Sequence, residues 1–247
     1  MKNNQRSYPR RAQEPASRQE PLRGTTRMAQ EPLRGKNLAI LFIALSFAVI
    51  LSFVFDNLIV QNISKLRNVF ADEVFSGITF ISSEIIIFFF LTSLFLWKEH
   101  KRKWILPLWL TLGASAIIGF LLKIVVQRMR PFQQDLVSIP EMLISRSYEI
   151  WNFSFPSFQA MLVFCALPII SKEFRKIKWA WIIFAFLVAF SRVYFGLHFL
   201  SDVIVGGVLG YLIGVLVIRL EEKKKFGEKI YKRIFRNKRV YIRIRER

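Results

Sequence analysis

Ser191-Arg192-Val193-Tyr194-Phe195-Gly196-Leu197-His198-Phe199-Leu200-Ser201-Asp202 separates two apolar runs, 179–196 and 199–219. A guanidinium, an imidazole and a carboxylate stand here at the turn between two helix-length segments of membrane-like composition. His198 and Asp202 are four residues apart, so on a helix they share a face and the carboxylate reaches a ring nitrogen. An imidazole held in this way has a fixed tautomer and a more basic free nitrogen. Arg192 offers a planar fork suited to phosphate oxygens. An isolated His and Asp are more often solvated at a helix end. Beside apolar runs of this length, ionisable groups are usually functional.

Outward from this hairpin, crossing the hydrocarbon takes about 20 apolar residues. On that scale the chain divides into six candidate spans, roughly 37–60, 76–97, 104–126, 156–171, 179–196 and 199–219. The expected fold is therefore all-α and integral to a membrane, with six transmembrane helices. The fourth span is short and carries Pro168, and is expected to kink or to start below the lipid surface. The segments 98–103 and 172–178 are basic, as are both ends of the chain. Six spans place all four on one side, which the positive-inside rule makes cytoplasmic. The segments 61–75, 127–155 and 197–201 then lie outside, with the candidate chemistry.

Composition agrees. The chain has 247 residues, 53% apolar, 25 of them Phe, and a net charge of +20. Residues 1–36 hold nine Lys/Arg against three Glu, and 219–247 hold thirteen against four. Basic ends on an apolar centre suit anionic membrane lipid. Nucleic acid, the other partner of such tails, is not expected. Residues 1–36 are expected to be a disordered cytoplasmic tail, because they are rich in Arg, Gln, Pro and Gly and repeat Gln-Glu-Pro-Leu-Arg-Gly at 19–24 and 30–35. Residues 37–220 form the membrane domain, and 221–247 a basic amphipathic cytoplasmic tail in which Phe226, Ile230, Ile234 and Phe235 recur at near-helical spacing. Cys165 is alone in an apolar run and is read as a packing residue. The composition says nothing of oligomeric state.

Near the end of the third span, Lys123 and Arg130 are seven residues apart, two helical turns and so one face. Pro131 follows. Two cations at one outer pocket make an anion clamp; taken singly, Lys123 or Arg128 suits snorkelling to headgroups. The fourth span opens Pro156-Ser157-Phe158-Gln159. Proline in a first helical turn, with free N–H groups after it, favours anions.

Together, Lys123-x6-Arg130-Pro131, Pro156-Ser157-Phe158-Gln159 and Ser191-Arg192-x5-His198-x3-Asp202 resemble the three signature motifs of the type 2 phosphatidic acid phosphatase superfamily, which includes lipid phosphate phosphatases and polyprenyl diphosphate phosphatases. The resemblance covers roughly residues 40–220. It implies a helical core like that of the vanadium haloperoxidases, which are soluble and so argued against here by the spans. It also implies His198 as nucleophile, forming a phosphohistidine, with Asp202 orienting its ring. Lys123, Arg130 and Arg192 would hold the phosphoryl oxygens, and Ser157 with the backbone at Phe158 would complete the cradle. No metal or cofactor is implied. The substrate would be a lipid phosphate or diphosphate, met at the extracytoplasmic face of a membrane, by expectation the cell membrane.

The second motif departs from the family's Pro-Ser-Gly-His. Phe158 replaces the Gly, a concern if φ > 0 or close backbone approach is needed there. Gln159 replaces the His that protonates the leaving group, and an amide has no proton to give near neutral pH. The sequence has two His, and His100 is expected on the cytoplasmic side. A lipid alkoxide is about as basic as hydroxide, whose conjugate acid has a pKa of roughly 16. A phosphate monoester leaving from a diphosphate has one of about 6. Losing an acid catalyst, worth on the order of 10²–10⁴ in rate, hurts the first far more. A polyprenyl diphosphate or related lipid is thus the expected substrate, with Gln159 bonding the bridging oxygen or placing water. The alternative is a catalytically impaired pseudoenzyme that binds lipid phosphates without turnover.

Three further features are weaker. Trp151, Phe153 and Phe155 suggest an interfacial anchor or a lid. The segment 61–75 mixes Lys65, Arg67, Asp72 and Glu73 with apolar residues and is expected to lie flat on the membrane. Glu84, costly in lipid, is expected to face the bundle interior or the outer pocket, with no catalytic role.

Overall fold

The computed structural model describes residues 31–138 and 153–234, and all regular structure among them is helical. The chain forms two compact units, Met1–Ile43 and Ala44–Arg247. What is described of the first is the start of α1 (Glu31–Ser64), which begins inside the stretch expected to be tail. In the second unit, α1 is followed by α2 (Val69–Ile81), α3 (Glu84–Leu96), α4 (Ile105–Val126), α5 (Phe158–Glu173), α6 (Lys178–Tyr194) and α7 (Leu200–Lys224). Short 3₁₀ turns at Glu99–Trp104 and Pro131–Gln134 flank α4. Residues 226–234 continue as helix beyond α7, with Ile230 and Ile234 exposed. Trp151 and Phe235 fall outside the described residues.

Among the described residues, three helical stretches are long and apolar enough to cross a membrane, Ser46–Ser64, Glu99–Gln134 and Leu200–Lys224, or four if α2 and α3 count as one broken span bent by 63°. By length and composition these residues supply three or four of the six expected spans. With 16 residues in α5 and 17 in α6, these helices are about 24–26 Å long at 1.5 Å per residue. Both end at the functional site rather than passing it. The expected second span is divided as well. Ser82 and Ser83 interrupt the ladder, Asn68 caps α2 by accepting from the Ala71 N–H at 3.0 Å, and Ser83 stands at the N-cap of α3.

The centre of the unit is the contact between α5 and α7. Gly206, Gly210 and Gly214 recur every four residues along α7, which puts them on one face. A Cβ at Gly206 would stand 2.6 Å from the Ser157 carbonyl oxygen; at Gly210 and Gly214 it would overlap the carbonyls of Met161 and Cys165. The two backbones touch, and only glycine permits it. Cys165 is fully buried here. A larger apolar cluster fills the space among α3, α4, α5 and α6, with Leu91, Phe95, Leu108, Val163, Ile169 and Ala185 fully buried.

At the end of the helices away from the site, Lys172 pairs with Glu222, and Lys101 donates to the Glu173 carbonyl. Glu221 accepts from the backbone N–H groups of Gly227 (2.8 Å) and Glu228 (3.1 Å), which starts the helix 226–234. The basic segments after α3, between α5 and α6, and after α7 thus share one end of the unit.

Candidate active site

Four chain segments meet at the opposite end: the turn after α4, the residues leading into α5, the α6–α7 link, and the α2–α3 break. The α4 helix stops because Gln127 adopts the left-handed conformation (φ 48°), its N–H bonding the Lys123 carbonyl at 3.0 Å. Lys123, in the last turn of α4, is 1% exposed and donates to the Phe153 carbonyl. Arg130 lies beyond the helix in extended backbone (φ −77°, ψ 156°), as a residue before proline must be biased. The two cations do not share a helical face, as their spacing suggested. The chain reversal after Gln127 brings Arg130 back, where Nη1 donates to the Leu197 carbonyl at 3.2 Å.

The link between α6 and α7 is equally specific. Gly196 has φ +64°, and a Cβ there would run into Val137, so this turn requires glycine. The N–H groups of Leu197 and His198 fold back onto the Arg192 carbonyl at 3.0 and 3.2 Å. His198 sits just before α7, 2% exposed. Its Nδ1 is 2.6 Å from the Ser154 carbonyl oxygen, while the Asp202 carboxylate stands 3.9 Å away. The ring's hydrogen-bond partner is therefore Ser154, not the Asp202 that the four-residue spacing suggested. Because His198 precedes the helix, Asp202 occupies its first turn and accepts from the Phe199 N–H at 2.8 Å instead. A carbonyl oxygen can only accept, so Nδ1 carries the proton and Nε2 presents its lone pair. Asp202 acts on the ring at one remove, since it also accepts from the Ser154 hydroxyl.

Asp202 is fixed from a second side by Arg128, which its sequence position suited only to snorkelling. Arg128 Nη1 donates to Asp202 at 2.8 Å and to the Ser201 hydroxyl at 2.7 Å, and Nη2 donates to Asp56 of α1 at 2.8 Å. The Arg128 guanidinium also lies 3.9 Å from the centre of the Phe199 ring. Asp56 is 1% exposed and accepts from the Ser201 N–H at 3.0 Å. One arginine thus bridges two buried carboxylates that would otherwise repel each other at high cost. Arg128 holds the scaffold and does not snorkel. A carboxylate inside an apolar helix was the signal for Asp56; the use of Arg128 had none.

Arg192 is 4% exposed and donates through Nη2 to the Ser82 hydroxyl at 2.7 Å. Its Nε, and the hydroxyl of fully buried Ser157, have no hydrogen-bond partner among the described residues. Buried polar atoms are normally paired, so these two donors are available to an anionic ligand. Ser157 precedes α5, whose first N–H groups lack helical acceptors, and its own N–H is held by the Asp202 carbonyl at 3.0 Å. The His198 imidazole is held well below its ordinary value of 6.5, first by burial and then by the charges of Arg130, Lys123 and Arg192, against the weaker pull of the Ser154 carbonyl. It is a neutral base facing three cations.

Phe158 begins α5 and is absent from the left-handed residues of the chain, so no glycine is required there. Gly119, one turn before Lys123 on α4, leaves space for its ring; a Cβ at 119 would lie 3.3 Å from Phe158 Cδ2. Gln159 points to α3, its Nε2 donating to the Glu84 carboxylate at 2.9 Å.

The arrangement can bind a tetrahedral oxyanion between Arg192, Arg130, Lys123 and the start of α5, with an unprotonated imidazole nitrogen beside it. Comparison with known proteins agrees. The sequence profile described as the PAP2 superfamily matches residues 104–226. Phosphatidylglycerophosphatase B of Bacillus subtilis is 30% identical over 178 residues, covering 66% of this chain and 82% of that protein. An undecaprenyl-diphosphatase of Sulfolobus acidocaldarius is 32% identical over 133 residues, covering 53% and 61% respectively. The crystal structure of a transmembrane PAP2 type phosphatidylglycerolphosphate phosphatase from Bacillus subtilis superposes with a TM-score of 0.58 at 26% identity, over 74% of this chain and 97% of that one.

Proposed function

This chain belongs to the PAP2 superfamily, and we propose that it removes the terminal phosphoryl group of a lipid diphosphate, such as a polyprenyl diphosphate, through a phosphohistidine on His198. The observation that carries this is the pair of unpartnered buried donors, Arg192 Nε and Ser157 Oγ, beside an imidazole on which Lys123, Arg130 and Arg192 all act. Nε2 attacks the terminal phosphorus in line. The three cations and the start of α5 take the charge that spreads over the phosphoryl oxygens. Ser154 keeps the proton on Nδ1, and Asp202, braced by Arg128, keeps Ser154 in place.

Of the relatives, one is named for phosphatidylglycerophosphate and another for undecaprenyl diphosphate. Gln159 favours the second class here, because it offers no proton to a lipid alkoxide while a phosphate monoester departs without one. A pseudoenzyme is the less favoured alternative. The helical backbone at Phe158 and the space at Gly119 give its ring a place within the helix contacts, so the substitution by itself does not spoil the cradle.

The test is phosphate release by the purified full chain from prenyl diphosphate and from phosphatidic acid. Release from the diphosphate should be faster by on the order of 10²–10⁴, the worth of a general acid, and His198→Ala should abolish it. Equal rates, or preference for phosphatidic acid, would overturn the substrate assignment. Turnover by His198→Ala would overturn the mechanism.

A further inference from the structure

The proposed cycle has a second half in which water must attack the phosphorylated ring, and that water needs a base. Neither histidine can serve. His198 is itself the phosphorylated group, and His100 lies in the Glu99–Trp104 turn at the far end of α4, about 30 Å from Lys123 by helix rise. Among the carboxylates of the described residues, two act electrostatically on Lys123: Asp202 and Glu84. Asp202 is already committed to Arg128, Ser154 and the Phe199 N–H. Glu84 is exposed, and one of its oxygens takes the Gln159 amide at 2.9 Å.

We propose that Glu84 is the general base of the hydrolytic half-reaction, and that Gln159 is a positioning residue that holds its carboxylate at the cradle. The inference rests on the phosphohistidine proposed above. Its geometry comes from the α2–α3 break. Ser82 delivers its hydroxyl to Arg192, and two residues later Glu84 opens α3 from the same short segment. The side chain also acts electrostatically on Arg192, as it does on Lys123, two of the three cations assigned to the phosphoryl group.

In the step itself, the water oxygen bonds to phosphorus and the P–Nε2 bond breaks, its electron pair returning to Nε2. The water proton passes to Glu84 and then to solvent. His198 is left neutral with its proton on Nδ1, and inorganic phosphate leaves. The first half-reaction needs no acid when the leaving group is a lipid monophosphate. The family's imidazole is thus replaced by an amide and a carboxylate that together serve only the step for which a base is indispensable.

The experiment is rapid-quench kinetics on the full chain with a labelled prenyl diphosphate, following lipid monophosphate release and phosphohistidine. Glu84→Gln should keep a burst of about one lipid monophosphate per active site and accumulate phosphohistidine. Its steady-state turnover should fall by on the order of 10²–10⁴. Glu84→Ala should recover part of that turnover when formate is added, which a structural role would not produce. Wild-type turnover by Glu84→Gln, or equal loss of burst and turnover in both variants without formate rescue, would overturn the role of Glu84. A wild type that hydrolyses substrate without any phosphohistidine would instead remove the proposed mechanism on which the inference stands.

Discussion

In the mechanism we propose, two demands meet at His198: Nε2 must be unprotonated to attack phosphorus, and the cations that would hold the phosphoryl oxygens must stand near it. Burial and the charges of Arg130, Lys123 and Arg192 satisfy both, since each disfavours the imidazolium. The ring therefore stays neutral below the pH at which an ordinary histidine titrates. For the free enzyme, kcat/KM on prenyl diphosphate should hold as pH falls through 6.5, the ordinary value, and drop only further down. Folding has the same dependence. The unfolded ring takes up its proton near pH 6.5 while the folded ring does not, so this contribution to stability is complete above that value. It is lost as pH falls toward and through the folded value. Thermal unfolding in detergent should decline more steeply between about pH 6.5 and 5 for wild type than for His198→Asn. Parallel declines, or an acid limb in kcat/KM at the ordinary histidine value, would contradict this.

The helices owe their placement to small residues more than to large ones. Gly206, Gly210 and Gly214 let α7 lie backbone to backbone on α5, and that contact sets the start of α5 against the first turn of α7 through the Ser157 N–H and the Asp202 carbonyl. Glycine to alanine in a helix interior ordinarily gains about 1 kcal/mol. At Gly210 the new methyl would meet the Met161 carbonyl, and overpacking of that kind costs about 1–3 kcal/mol. Gly113 of α4 has nothing within 4 Å of its would-be Cβ, which makes it the internal control. Gly210→Ala should lower the midpoint of thermal unfolding by about 2–10 °C and reduce activity, while Gly113→Ala should leave it unchanged or raise it. Equal behaviour of the two would show that the close contact does not govern stability.

Across the larger unit, charge and chemistry occupy opposite ends. The basic segments near Lys101, Lys172 and Lys223 share one end, tied by Lys172–Glu222 and by Lys101 to the Glu173 carbonyl. Lys123, Arg130, Arg192 and His198 share the other. We propose that the first end is cytoplasmic, by the positive-inside rule, and that lipid phosphate enters from the outer leaflet. Lys98 and Gln134 are exposed at the two ends, and the native Cys165 is fully buried. In intact cells a membrane-impermeant thiol reagent should label Gln134→Cys and not Lys98→Cys. Labelling of the reverse pattern would place the site on the cytoplasmic face.

The family was legible in the chain because its motifs set fixed residue types at fixed spacings, and apolar runs between basic loops announce a membrane on composition alone. How those residues are held was not legible. Local spacing assigned His198 to Asp202 and put Lys123 and Arg130 on one helical face, yet both members of each pair straddle a helix end, where the periodicity that justified the pairing stops. Helix ends are set by the Gln127 turn, by Gly196 and by Pro131, and by which distant groups satisfy the freed backbone. The bridge from Asp56 through Arg128 to Asp202, and the hydrogen bond from Gln159 to Glu84, join residues 72 to 75 positions apart. Such contacts exist only once the helices are assembled, because burial makes each of these charges seek whatever partner the fold brings within reach.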